Sequence, residues 1–157
     1  MDDTVTKSKS VISEKMRDLL LPLKDSIVIV SGATLSQMRK QVGEGFNLMG
    51  CNGNHCHYWS RTLTSGEKKE IISRFHSENI EVGIGGTTCI DFFKKGNSKG
   101  DNVLEYIKRK NWKKSECLYV GDALFEGGND YSVVGKLSTL SVKNPEETYH
   151  LIKELKI

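Results

Sequence analysis

Apolar positions along the chain switch repeatedly between two periods. Met16, Leu19, Leu20 and Leu23 recur at the spacing of one helical face, and Ser13 ahead of Glu14 predicts the cap of that helix. Ile27-Val28-Ile29-Val30 follows, a continuous β-branched run that predicts a strand covered on both faces and that stops at Ser31-Gly32. Leu35, Met38 and Val42 predict a second helix, and the short apolar segment Phe46 to Met49 leads into the turn Asn52-Gly53-Asn54. From His57 to Leu63 the aromatic and β-branched content predicts a strand. Thr64 to Glu67 then has capping-box spacing ahead of Ile71, Ile72 and Phe75. Ile80 to Ile84 and Cys89 to Phe93 read as strands flanking Gly85-Gly86, and Val103, Leu104 and Ile107 share a helical face between Gly100 and Lys110. Cys117 to Val120 is a second buried-strand run, stopped by Gly121-Asp122. Leu137 to Val142 predicts a last strand, and Asn144-Pro145-Glu146-Glu147 opens a helix whose apolar face is Thr148, Leu151, Ile152 and Leu155.

Buried strands alternating with amphipathic helices predict an α/β fold with a mostly parallel sheet and right-handed crossovers. Ligands of such sheets bind beyond the carboxyl ends of the strands. The polar residues there are Ser31 after the first run and Asp122 after the later one, with Asn129-Asp130 close behind. Lys99 stands at a helix start, and Asp2-Asp3-Thr4 opens the chain. A hydroxyl and an ammonium group can hold phosphoryl oxygens, while clustered carboxylates suit a hard cation such as Mg²⁺. Each residue alone has a plainer reading: a serine that caps a helix, a lysine in solvent, carboxylates as surface charge.

Composition narrows the picture without deciding it. The 157 residues, 37% of them hydrophobic, suit one compact domain. The 23 basic and 20 acidic side chains net +3, and the basic runs Lys94-Lys95, Lys108 to Lys110 and Lys113-Lys114 are scattered, which argues against a nucleic-acid surface. No run approaches the roughly 18 to 20 apolar residues of a membrane span. The acidic start Met1-Asp2-Asp3-Thr4 has no secretory character. Cys51, Cys56, Cys89 and Cys117 are therefore expected as free thiols in a cytoplasmic protein. The expected partner is a small phosphorylated metabolite, with no nucleic acid and no membrane, and a homodimer is the assembly left open.

In order and local sequence these residues resemble the haloacid dehalogenase superfamily of phosphatases and phosphomutases. Asp2-Asp3-Thr4-Val5 is similar to the tail of the first motif, Ile27 to Val30 with Ser31-Gly32 to the second, and Ser98-Lys99-Gly100-Asp101 to the third. Gly121-Asp122 through Gly127-Gly128-Asn129-Asp130 resembles the fourth and is the most specific. With Ile84-Gly85-Gly86 and Ile90-Asp91 it looks most like the eukaryotic-type phosphomannomutase branch and its bacterial phosphatase-like relatives. The resemblance implies a Rossmann-like three-layer α/β sandwich and a two-step phosphoryl transfer through an aspartyl-phosphate. Asp2 falls at the general acid/base position. Ser31, Gly32 and Lys99 fall where the phosphoryl oxygens are held, with Lys99 also counted as catalytic. Asp122 and the backbone carbonyl of Asp2 fall at the Mg²⁺ ligands, and Asn129 and Asp130 complete the outer metal shell.

Two departures qualify what the resemblance implies. The nucleophilic Asp would fall one residue before Met1, and Asp2 cannot take its place because the motif would then require an acid where Thr4 stands. The apolar strand that leads into the first motif is missing too, so the chain as written is expected to have little or no phosphoryl-transfer activity. An internal start or a fragment is the favoured explanation over a noncatalytic descendant. The cap between the second and third motifs is expected to be reduced to residues 58–78, with 1–57 and 79–157 as the core. Arg61 and Arg74 lie in that remnant. An open site favours water over a second sugar hydroxyl, so a phosphatase acting on a small phosphorylated metabolite such as a sugar phosphate ranks above a phosphomannomutase. A noncatalytic binding protein on the same scaffold is the third reading. Cys51, His55, Cys56 and His57 lack the second ligand pair of a structural zinc site.

Overall fold

A computed structural model describes residues 1–54, 64–75, 78–84 and 90–155. The chain forms two units, one of 1–52, 118–122 and 139–157, the other of 53–117 and 123–138.

In the first unit, α1 (Glu14–Leu20) is capped as expected by the Ser13 side chain, which accepts from the Met16 amide. It buries Met16 and Leu20 and gives way at Pro22 to a single 3-10 turn. Strand β1 (Ile29–Val30) runs parallel to β2 (Leu48–Met49) with Ile29 opposite Leu48, and α2 (Leu35–Val42) makes the crossover between them. A parallel pair needs such a connection, since a tight turn can only reverse the chain. Ile12, Met16, Leu20, Ile29, Met38 and Val42 form the buried cluster of this unit. The strand is shorter than the run Ile27 to Val30 that predicted it. The Asn47 side chain donates to the carbonyls of both Lys24 and Ile27, so a side chain takes the place of a neighbouring strand there.

Strand β5 (Leu118–Gly121) pairs with β6 (Ser138–Ser141), and α5 (Pro145–Glu154) follows with Asn144 as its cap and Pro145 at its first position. The α/β class is as expected, but the described strands form three separate pairs. Leu118, read from sequence as covered on both faces, is 41% exposed. Among the described residues β5 has β6 as its only strand neighbour.

In the second unit, α3 (Ser65–Phe75) opens on the expected box, with Thr64 and Glu67 bonded reciprocally. Strands β3 (Ile80–Ile84) and β4 (Ile90–Lys94) pair antiparallel, Val82 opposite Phe92, and Phe75 of α3 meets Phe92 edge to face at 5.4 Å. Helix α4 (Lys99–Arg109) buries Val103 and Ile107. His55, Cys56, His57, Arg61, Gly85, Gly86 and Cys89, with the expected strand from His57 to Leu63, lie outside the described residues. Cys51 is disulfide-bonded, against the expectation of four free thiols, whereas Cys117 is free. The expectation rested on compartment alone, which carries no information about which thiols the fold brings together. No described helix is long and apolar enough to cross a membrane.

Candidate active site

The first unit gathers residues of three expected motifs. The chain reverses at Asp3, whose φ of 53° lies in the left-handed region that Asp tolerates better than most side chains. This turn aims the amides of Thr4, Val5 and Thr6 at the Met1 carbonyl, at 3.3, 2.8 and 3.1 Å. The amino group of Met1 donates to the Val30 carbonyl at 3.3 Å, which sets the opening loop beside the end of β1 and next to Ser31.

Within that loop Asp2 is held firmly. Its Oδ1 accepts from Gln41 Nε2 at 3.1 Å, the Lys9 amide at 3.1 Å and the Thr6 hydroxyl at 3.4 Å. Its Oδ2 makes no hydrogen bond among the described residues. Thr4 is buried, and its hydroxyl lies 2.7 Å from Asp122 Oδ1 and 3.5 Å from the Asp2 carbonyl oxygen. One hydroxyl thus gathers the two oxygens assigned to magnesium. Thr4 was legible as part of the first motif but was not counted among the site residues.

Ser31 is 7% exposed, and the plain reading of it as a helix cap fails: Thr34 caps α2, with Gln37 completing the box. Ser31 Oγ accepts instead from the Ala33 amide, while its carbonyl accepts from the Asn52 amide. Gly32 sits against the Asn52 side chain, where a Cβ would come within 3.4 Å of Nδ2.

In the second unit the plain reading of Lys99 fails as well. Lys99 is 5% exposed and donates to Asp130 Oδ1 at 2.7 Å, a carboxylate itself 6% exposed. Asp130 is reached through the loop from Ala123, where the Asp130 amide bonds the Ala123 carbonyl and the Gly128 amide bonds that of Phe125. Gly128 is required there, because a Cβ would stand 2.2 Å from the Ala123 carbonyl oxygen. Asn129 precedes Asp130 and is half-buried. The Asp130 carboxylate is engaged by an ammonium group, which suits bracing better than direct metal ligation.

Ser132 and Lys136 are absent from the sequence reading, and Gly100 and Asp101 stand in it only as part of the third-motif segment. The Gly100 amide donates to Ser132 Oγ, and Lys136 Nζ donates to Asp101 Oδ1 and Ser98 Oγ. Burial pushes the Asp101 carboxyl up, but hydrogen bonds from Lys136 and Ser98 more than offset it and hold it below the ordinary carboxylate range. Only the Ser98-Asp101 spacing, a box of its own, signalled any part of this arrangement.

A family model described as eukaryotic phosphomannomutase matches residues 60–157. The chain belongs to the eukaryotic phosphomannomutase family. A phosphomannomutase of Arabidopsis thaliana is 35% identical over 88 residues, covering 55% of the chain and 34% of the plant protein. That of Spinacia oleracea is 32% identical over 87 residues, covering 54% and 33%. The chain thus spans about a third of the length of these curated relatives. In three dimensions it is similar to an N-terminally truncated Plasmodium falciparum IMP-nucleotidase, with a TM-score of 0.72 at 15% identity over 98% of the chain and 68% of the nucleotidase. Thermoplasma acidophilum 0175 gives 0.72 at 14% identity over 99% and 95%. These likenesses show the fold alone, a Rossmann-like α/β fold. The family match places the chain among phosphoryl-transfer enzymes of the haloacid dehalogenase type.

Whether this chain's residues suit magnesium can be judged from their donors. Among the described residues no three acidic, histidine or cysteine side chains cluster as a ligand set. Magnesium does not require one, since it commonly keeps its waters and takes one or two carboxylates with a substrate phosphate. The Asp122 carboxylate and the Asp2 carbonyl, gathered by Thr4, are hard oxygens of that kind.

Proposed function

We propose that the chain carries a Mg²⁺-dependent phosphoryl-transfer site of the haloacid dehalogenase type, whose outcome is hydrolysis of a small phosphorylated metabolite such as a sugar phosphate. The observation that carries this reading is the Thr4 hydroxyl between Asp2 and Asp122, because it brings the first and fourth motifs, 118 residues apart, to one point. A coincidental surface carboxylate at Asp122 would have no reason to meet a buried threonine hydroxyl of the first motif.

In this reading Asp2 gives the leaving oxygen its proton and later takes one from water, through the carboxylate oxygen that its three donors leave open. Those donors fix the carboxylate's orientation without competing for Oδ2. Ser31 and the Gly32 backbone hold phosphoryl oxygens, the resemblance gives the same role to Lys99, and Asn129 and Asp130 brace the loop. Asp122 and the Asp2 carbonyl would hold magnesium, which when bound neutralises charge on the phosphoryl group. The nucleophilic Asp of the motif would fall directly before Met1 and is not among the residues of this chain, so the transfer step requires that it be supplied.

The second reading, phosphomannomutase, is favoured by the family match and the two plant relatives. One experiment separates the two. The chain is extended at its amino end by an apolar strand ending in Asp directly before Met1, then given mannose 1-phosphate, a bisphosphate activator and magnesium. Inorganic phosphate and free sugar, abolished by chelation, are expected. Mannose 6-phosphate as the main product would establish the mutase. Absence of both products, with phosphate still bound, would support a noncatalytic binding protein.

A further inference from the structure

The first turn of α4 is fixed far more heavily than a helix start requires. Ser98 and Asp101 already form a complete capping box, with the Asp101 amide on Ser98 Oγ and the Ser98 amide on Asp101 Oδ2. Such a box satisfies its own orphan amides. A third group nevertheless enters it: Lys136 Nζ, from 35 residues downstream, reaches Asp101 Oδ1 and lies 3.2 Å from Ser98 Oγ. Between these two anchored residues the Gly100 amide donates to Ser132 Oγ at 3.1 Å. Lys99 is thus flanked by the Ser98 side chain and the Gly100 backbone, both tied to the segment that also supplies Asp130.

The Lys136–Asp101 pair is about one-third exposed on each side, 32% and 29%. Ion pairs so open to solvent add little to stability. Its geometric consequence is larger, because it fixes the turn from which the buried Lys99 ammonium projects toward Asp130. We propose that Lys136 is a positioning residue, which holds the first turn of α4 in register with the loop after β5 so that Lys99 is seated on Asp130. This rests on the reading of Lys99 as a phosphoryl-oxygen ligand, and it adds a residue to that site which touches neither phosphate nor metal.

The test follows the Lys99 ammonium group by nitrogen-proton correlation NMR in the full chain, with and without inorganic phosphate. Lys136→Met is expected to speed Lys99 ammonium exchange about tenfold, the size of coupling found within one hydrogen-bond network. Lys136→Arg, which keeps the charge and donors, is expected to restore slow exchange. A folded Lys136→Met protein with unchanged Lys99 exchange would overturn the proposal. Should Lys136→Met fail to fold, Asp101→Asn, which leaves the lysine in place but removes its charged partner, carries the same expectation, and unchanged exchange there overturns it too. The phosphate arm is separate. If phosphate leaves the Lys99 signal of the unaltered chain unmoved, the phosphate-ligand reading of Lys99 fails, while the positioning role still stands or falls on the exchange rates.

Discussion

The two units hold their functional residues by opposite means. In the first, carboxylates are oriented by neutral donors: Thr4 on Asp122, and Gln41, Thr6 and the Lys9 amide on Asp2. In the second, the charges neutralise one another, Lys99 with Asp130 in a buried pair and Lys136 with Asp101 in a half-buried one. A carboxylate fixed by hydroxyls and amides has no counter-charge in that contact and can face a cation. A lysine seated on a buried aspartate is placed accurately, but its charge is already partly answered. The contrast predicts that the first set governs metal and chemistry while the second governs architecture as well, so substitutions in the two should differ in kind.

The largest difference should appear on removing one charge from each. Lys99→Met removes the ammonium group that answers the buried Asp130 carboxylate, and breaking a buried pair in this way costs about 3 to 5 kcal/mol. Asp122→Asn keeps an acceptor for the Thr4 hydroxyl and leaves no charge unpaired, so its cost should stay below about 1 kcal/mol. Urea denaturation of both variants checks this. Equal losses would show that the two sets are not held by different means.

Next in size is Gly100→Ala. Its Cβ would stand 2.0 Å from the Ser132 carbonyl oxygen, a backbone atom that cannot rotate away. Alanine ordinarily helps a helix, so propensity alone predicts a gain. Crowding predicts a loss of about 2 to 3 kcal/mol, at the upper end for overpacking, because the contact is with backbone. A stabilised variant would mean that the α4 docking tolerates separation, and the positioning argument would weaken with it.

These two tests also mark how far the sequence could be read. Local signals carried well: Ser13, Thr64 and Asn144 cap the helices their spacing predicted, because a cap depends on residues three or four apart. The order of the motifs along the chain is what singles out Asp2, Ser31, Lys99, Asp122 and Asp130 as candidates. Missing from the reading were contacts made across the fold by residues with no motif of their own. Lys136 sits among unremarkable polar residues, and only the turn that follows Val133 brings it to Asp101. The length of β1 was misjudged for a similar reason, since nothing in Ile27 to Val30 announces that Asn47 will take the Ile27 carbonyl.

The smallest effect expected is one of pH, and it arises in the second unit. The Asp101 carboxyl is held below its ordinary value of 3.8, because the bonds from Lys136 and Ser98 outweigh burial. A carboxyl depressed in the folded state binds protons less readily there than in the unfolded chain. Its stabilisation is therefore complete above the unfolded value and is lost as pH falls through the folded one. Denaturation midpoints measured downward through the unfolded carboxyl value should show a loss that Asp101→Asn reduces, since asparagine has no proton to gain. Lys136→Met should diminish the same loss by withdrawing one of the partners that depress the carboxyl. An acid limb unchanged by Asp101→Asn would assign the loss to other carboxylates and leave the Lys136 contact as geometry without an electrostatic signature.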